Sequence, residues 1–385
     1  MADRAPLVML SAGEASGDQH AASLFRELKA ILPGVRGIGM GGPAMQAAGI
    51  DIRFDSRGIG VIGLAEIARH YGEIRGALNL MRNLARDERP DLLICVDYKE
   101  FNFRLAKAAK ALGIKVLFYV SPQVWAWRQG RVKTYGQIID HMAVIFPFEL
   151  PFYEAHGVPA TYVGHPLAGK VKATESPDIV LARLGISAPK PPLIGILPGS
   201  RSNELARLLP TLLGAAANLK GTHPDAHFVV FKAPTLNRER LLEAGIHRQL
   251  ELTIIEGQDY NVLQCCDAVM TVSGTATLEV ALLGVPMVIV YRLAALSYWI
   301  GRLLIKVPFI GLPNILRGKG IVREFIQDEA TPEHIAGEIR KILDDSVYRN
   351  AMREELVAVR ETLGHLEGSV ELARLAAGML EGKRA

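Results

Sequence analysis

Four short segments set charged or hydroxyl side chains among glycine and other small residues, the combination needed where backbone amides must come close to an anionic ligand. They are AGEASGDQH at residues 12–20, ICVDYKEFN at 94–102, LPGSRSNEL at 197–205 and SGTATLE at 273–279. In LPGSRSNEL, Pro198 and Gly199 make a turn, Ser200 or Ser202 is placed to cap a helix, and Arg201 projects from its first turn. A cation there opposes the helix dipole. A diphosphate that accepts from both the backbone amides and a bidentate arginine would offset the penalty; the alternative is a surface arginine on a capped helix.

SGTATLE poses a sharper question. Ser273, Gly274 and Thr275 leave room for a ligand at the backbone, but Glu279 lies one turn deeper among Leu278, Val280, Leu282 and Leu283. A capping box would need Ser or Thr three residues earlier, and position 276 is Ala. A carboxylate in apolar surroundings needs a partner. A ribose diol is one candidate and an ion pair with Arg292 is the other.

In AGEASGDQH, Ser16 stands three residues before Gln19, a capping box that by itself accounts for both. Glu14 and Asp18 then read either as first-turn acids favoured by the helix dipole or as substrate contacts. Asp97 ends an apolar run, where a carboxylate can take a proton from a hydroxyl nucleophile; being three residues before Glu100, it can equally serve as a cap. SPQVWAWRQGRVK, residues 121–133, sets Trp125 and Trp127 beside Arg128, Arg131 and Lys133. Tryptophans stack on sugars and cations suit phosphate, whereas packing between domains is the plainer use. His165, in GHP, reads as a structural histidine.

The elements that must position these residues are short β-branched runs alternating with helical patterns: PLVMLSA, DLLICVD, KVLFYVS and HMAVIFPF in the first half, then PLIGILPGS, AHFVVFKAP, LELTIIEG, AVMTVSG and VPMVIVYR. Such alternation means parallel strands joined by crossover helices. The chain of 385 residues exceeds one ordinary core, so the expected fold class is α/β, with two Rossmann-like domains whose parallel sheets face a cleft. The polar, Pro-bearing stretch 165–178 reads as the linker. Expected boundaries are 1–170 for the first domain, 171–350 for the second, and 351–385 for terminal helices that cross back or exchange between protomers.

Hydrophobic content of 49% and charged content of 22% describe a globular chain, and a net charge of +4 is too weak to argue for nucleic acid. Three cysteines, Cys95, Cys265 and Cys266, show no zinc or disulfide spacing and suit a reducing compartment. Neither half has GxGxxG between its first strand and helix, or a GxxxxGK[ST], so dehydrogenase and P-loop readings lose ground. There is no acidic metal cluster, secretory leader or uncharged run of membrane-span length. Segments 56–81 and 280–316 are unusually apolar, and the second carries only Arg292, Arg302 and Lys306 as charges, which suggests contact with acyl chains or a membrane surface.

With these motifs in hand, the sequence resembles the lipid-A-disaccharide synthases, bacterial glycosyltransferases of the GT-B fold. The likeness runs end to end through AGEASGD, Asp97 with Phe101 and Asn102, SPQVWAWRQGRV, VGHPL, LPGSR, SGTATLE, YR and LPNIL. Tyr98 and Lys99 stand where the family usually has a small residue and proline, Gln123 where it has serine, and Gly169 where an acid is common. The resemblance implies transfer of 2,3-diacylglucosamine from its UDP donor to the 6-hydroxyl of 2,3-diacylglucosamine 1-phosphate, with inversion, giving a β(1→6) disaccharide and UDP. Asp97 would be the base and Arg201 would stabilise the departing diphosphate. Glu279 would grip the uridine ribose, with Glu14, Ser16, Ser200, the amides of Ser273, Gly274 and Thr275, and Asn314 on the UDP side. Asp18, Asn102, Trp125 and Arg128 would touch acceptor or sugar, and Val61, Ile62 and Leu64 would face the membrane. No metal or other cofactor is expected. The implied partners are the two acylated sugars and the cytoplasmic face of the inner membrane, with peripheral attachment and a homodimer compatible with the sequence. The alternatives are another GT-B N-acetylglucosamine transferase, a UDP-N-acetylglucosamine epimerase, or a non-catalytic UDP-sugar or lipid binder.

Overall fold

The computed structural model describes residues 4–58, 70–126, 129–187, 189–234, 236, 239, 241, 250, 252–293 and 307–382. The chain divides into two compact units, one made of residues 1–166 with 365–385 and the other of 167–364. The division at Pro166 falls inside the polar stretch, four residues before the expected boundary. The terminal segment does not stay together: residues 351–364 belong to the second unit and 365–385 to the first.

The first unit is built on β1 (Leu7–Ala12), β2 (Arg36–Gly41), β3 (Ile50–Asp55), β4 (Leu92–Val96), β5 (Lys115–Tyr119), β6 (His141–Val144) and β7 (Ala160–Tyr162). Its described helices before the chain leaves the unit are α1 (Ala15–Ile31), α2 (Pro43–Ala47), α3 (Tyr71–Glu88), α4 (Lys99–Ala111), α5 (Arg131–Ile138) and α6 (Glu149–Glu154). The strands lie in the order β3-β2-β1-β4-β5-β6-β7, and every pair is parallel. Both faces are covered, which is why the strands read as continuous apolar runs. Leu7, Met9, Leu93, Cys95, Val116 and Phe118 pack with Met81, Leu105 and Tyr135 on one face. Val8, Leu10, Leu92, Ile94 and Leu117 pack with Phe25 and Leu28 of α1 on the other. β2 and β3 were not foreseen as strands: the first reads RGIGMG, whose glycines carry no strand signal.

The second unit comprises β8 (Leu193–Leu197), β9 (His227–Lys232), β10 (Leu252–Glu256), β11 (Ala268–Val272), β12 (Met287–Tyr291) and β13 (Arg323–Ile326). Its described helices are α7 (Pro177–Arg183), α8 (Ser202–Lys220), α9 (Tyr260–Leu263), α10 (Thr275–Leu282), α11 (Leu312–Arg317), α12 (Pro332–Asp344) and α13 (Ser346–Leu363). The order is β10-β9-β8-β11-β12-β13, again all parallel. The last helix, α14 (Gly368–Glu381), returns to the first unit. It buries Leu372, Ala373, Ala376 and Leu380 in the core cluster that holds α1, and the Lys115 ammonium donates to the Met379 carbonyl at 2.7 Å.

Candidate functional site

In an open parallel sheet, ligands meet the carboxyl ends of the strands where strand order reverses. That point lies between β1 and β4 in the first sheet and between β8 and β11 in the second. The four chemistry-bearing segments occupy these ends. Gly13 and Glu14 follow β1, Asp97 follows β4, Pro198–Arg201 follows β8, and Ser273–Gly274 follows β11.

In the second unit, Gly199, Ser200, Arg201, Ser273, Gly274, Thr275 and Glu279 line one cavity of about 390 Å³, together with Glu204, Gln258, Phe231 and Pro234. Two backbones bend sharply to form it, Gly199 at φ 102° and Gly274 at φ 155°, where a side chain would be strained. Glu279 is 6% exposed. Its carboxylate accepts from the Tyr260 hydroxyl at 2.9 Å and from the Gln258 amide. Burial holds its pKa above the ordinary glutamate value, and the two donors oppose that shift. Arg292 is engaged elsewhere, donating to the carbonyls of Gln327 and Ala330, so the ion-pair explanation of Glu279 is set aside. A carboxylate offers about four lone-pair sites, so two donors leave capacity for a diol.

The caps differ from expectation. The N-cap of α8 is Arg201 itself rather than Ser200 or Ser202, with no side-chain cap bond. Glu204 reaches back instead, accepting from Arg201 Nη1 at 2.9 Å and from the Ser200 amide at 3.4 Å. The Ser273 amide is engaged in the sheet, donating to Val290, and its hydroxyl donates to Ile310. The diphosphate-facing amides available from this loop therefore start at Gly274, the N-cap of α10, rather than at Ser273.

In the first unit, Asp97 and Tyr98 both take left-handed backbone conformations, each at φ 47°. The Asp97 amide donates to Tyr119, and its carbonyl accepts from Asn102 Nδ2 at 2.7 Å. Tyr98, not Asp97, is the N-cap of α4, so the cap explanation of Asp97 fails. Burial raises the Asp97 pKa, and the Lys99 ammonium partly counters it. Gly13 is required by contact: a β-carbon there would meet the Tyr98 ring at 2.3 Å. Thus the Tyr98 ring lies against the loop that follows β1.

A family model described as lipid-A-disaccharide synthetase matches residues 8–370. The curated lipid-A-disaccharide synthase of Nitrosococcus oceani is 49% identical over 383 residues, covering 100% of this chain and 98% of that protein. That of Geobacter sulfurreducens is 46% identical and covers 93% of each. The chain belongs to the lipid-A-disaccharide synthase family. Solved structures agree on the fold: a Staphylococcus aureus MnaA–UDP co-structure has a TM-score of 0.65 at 12% identity with 94% of each chain covered. Acinetobacter baumannii MurG gives 0.57 at 18% identity, covering 97% of this chain and 99% of that one. The architecture is GT-B and the protein is a glycosyltransferase of lipid A disaccharide synthesis.

Against that family assignment, several residues expected at the ligand are engaged in holding the scaffold. Asn102 is fully buried, its amide donating to the carbonyls of Ser11, Val96 and Asp97 and its oxygen accepting from Ser11 Oγ at 2.6 Å. These bonds position the end of β4. Asp18 is 5% exposed, and its carboxylate accepts from the amides of Gly42, Ala44 and Met45 at the start of α2. The capping box of Ser16 and Gln19 does not form, because α1 starts at Ala15 with Glu14 as N-cap and Ser16 exposed inside the helix. Trp125 is 7% exposed and is no open platform. Its indole donates to Glu149 at 2.9 Å and its ring meets Phe148 edge-on. Asn314 is wholly buried, bonding the backbones of Ile321 and Val322 and the carboxylate of Glu324, so a direct UDP contact does not follow. Val61, Ile62, Leu64 and Arg128 lie outside the described residues.

Sequence reasoning missed Gln258, Tyr260, Glu149 and Glu324. The first two stand at and just after the turn that ends β10, far in sequence from Glu279, and no local pattern pointed to them. Glu149 had a usable signal, an acid inside the aromatic run FPFELPFY. Only 1% exposed, it accepts from Trp125 and from the amides of Ile145 and Phe146.

Proposed function

We propose that this chain transfers 2,3-diacylglucosamine from its UDP donor to the 6-hydroxyl of 2,3-diacylglucosamine 1-phosphate, with inversion at the anomeric carbon. The observation that carries the reading is the family match over residues 8–370. The geometry within each unit supports the residue roles. Asp97 accepts the proton of the 6-hydroxyl as its oxygen attacks the donor's C1 from the face opposite the diphosphate. The C1–O bond to the diphosphate breaks, and UDP leaves carrying the electron pair. Arg201 and the first-turn amides of α10 receive the diphosphate charge, and Glu279 holds the ribose diol. Ser200 lines the nucleotide cavity, and Glu14 keeps the nucleotide role that its motif implies.

In this reading fixed cations and helix amides do the work of a metal, and none is required. Attachment to the membrane is peripheral, on the cytoplasmic face of the inner membrane, through the apolar segments that include Val61, Ile62 and Leu64. Among the described residues no helix is long and apolar enough to cross a membrane.

UDP release in mixed micelles containing a divalent-metal chelator, measured with and without the acceptor, tests the reading. Release that requires the acceptor supports both the transfer and its independence from metal. Turnover of the donor alone would point to an epimerase, and tight UDP binding without release to a different acceptor.

A further inference from the structure

A second cavity, of about 360 Å³, lies in the first unit between α3 and α4. It is not part of the nucleotide cavity and none of the roles above uses it. One stripe of α3 lines it at spacings of three and four: Ile74 and Leu78 supply apolar surface, Arg75 and Arg82 supply charge. From α4 come Phe101, Arg104 and Lys99. Its lining also includes one carboxylate, Glu100, which is already paired with Arg131. The balance is strongly cationic.

Arg82 adds a specific signal: its Nε is sealed from solvent and has no hydrogen-bond partner among the described residues. A buried guanidinium N–H without an acceptor is costly, and a rotation of the Arg82 side chain toward an oxyanion in the cavity would satisfy it. The mixture of apolar floor and guanidinium rim fits a molecule with a phosphate and a hydrocarbon chain close together. The wall of the cavity starts with Tyr98 and Lys99, the residues that directly follow Asp97.

We propose that this groove is the acceptor site, in which Arg75, Arg82 and Arg104 hold the sugar's phosphomonoester while Ile74, Leu78 and Phe101 seat the first methylenes of an acyl chain. The assignment rests on the transferase reading above and adds the residues that select a phosphorylated acceptor.

The test compares acceptor with and without its 1-phosphate in wild type, Arg82→Gln and Arg104→Gln, at saturating donor. Each variant is expected to raise KM for the phosphorylated acceptor by roughly tenfold, the loss of one charge-assisted hydrogen bond. KM for the donor should stay unchanged, and the preference for the phosphorylated acceptor should shrink. Arg104 is exposed on its helix, so Arg104→Gln keeps the test open if Arg82→Gln fails to fold. An unchanged phosphate preference in folded variants overturns the proposal. So does an unchanged acceptor KM combined with lost binding to phosphatidylglycerol vesicles, which would make the groove a contact for membrane headgroups. If wild type releases no UDP with this acceptor, the fault lies with the assigned reaction. Titration of 2,3-diacylglucosamine 1-phosphate micelles against wild type and Arg82→Gln then decides the groove alone, since equal affinity would rule it out.

Discussion

The Tyr260 hydroxyl donates to the buried carboxylate of Glu279 at 2.9 Å, and Gln258 donates to the other oxygen. Two donors from one loop therefore keep a helix-borne carboxylate aimed into the nucleotide cavity. Replacing Glu279 with Gln preserves shape while removing charge and one acceptor. Hydrogen bonds to charged groups contribute about 1.5–3 kcal/mol, so affinity for UDP is expected to fall about 10- to 100-fold. Isothermal titration checks it. The melting temperature should hold or rise, because burial already disfavours the ionised carboxylate; equal UDP affinity would remove Glu279 from the nucleotide site.

Asp97→Asn should lower kcat by about 10²- to 10⁴-fold with UDP affinity intact, the range typical for loss of a general base. A base must be ionised. Burial raises the Asp97 pKa above its ordinary value, so activity is retained above the raised value and lost as pH falls through it. The Lys99 ammonium acts in the opposite direction on that pKa. Lys99→Met should therefore move the acid limb of the kcat profile to higher pH. A limb that stays in place would mean another group sets it.

What could be read from the sequence and what could not divide along a physical line. Asp97, Arg201 and Glu279 were singled out because each breaks a local rule: an acid at the end of an apolar strand, a cation at a helix start, a carboxylate in a hydrophobic turn. Asp18, Asn102 and Asn314 sit in equally telling motifs, yet their polar atoms satisfy backbone groups 24 to 27 residues away, five to 91 residues away, and seven to eight residues away respectively. A motif records that a side chain is constrained, not whether ligand or backbone constrains it. Strands fared similarly. β1, β4, β8 and β11 stand out as buried apolar runs, whereas β2 hides in glycine and β7 and β13 are only three and four residues long.

Asn102 offers a clean test of scaffold against site. Asn102→Ala leaves the Ser11 hydroxyl and several carbonyl oxygens without their buried partner. The expected loss is about 2–4 kcal/mol. For a unit of this size that lowers the first melting transition by roughly 5–15 °C. The double variant Ser11→Ala/Asn102→Ala should lose less than the sum of the two single changes, because the same hydrogen bond would otherwise be counted twice. A residue that merely contacted substrate would change KM and leave the melting transition alone.

His165 sets a pH limit on the fold. It is 6% exposed, its ring lies 5.0 Å from that of Phe146, and burial first, then the charge of nearby His20, lowers its pKa to about 4. Between the ordinary value near 6.5 and that lowered one, the unfolded chain binds a proton that the folded chain excludes. Stability is therefore complete above about pH 6.5 and declines as pH falls toward 4. At about 1.4 kcal/mol per unit, the contribution reaches on the order of 3 kcal/mol at the acid end. His165→Gln, which cannot titrate, should flatten this part of the pH–melting curve while other acid-sensitive groups still act. An unchanged slope between pH 6.5 and 4 would show that His165 gains its proton without opening the surrounding core.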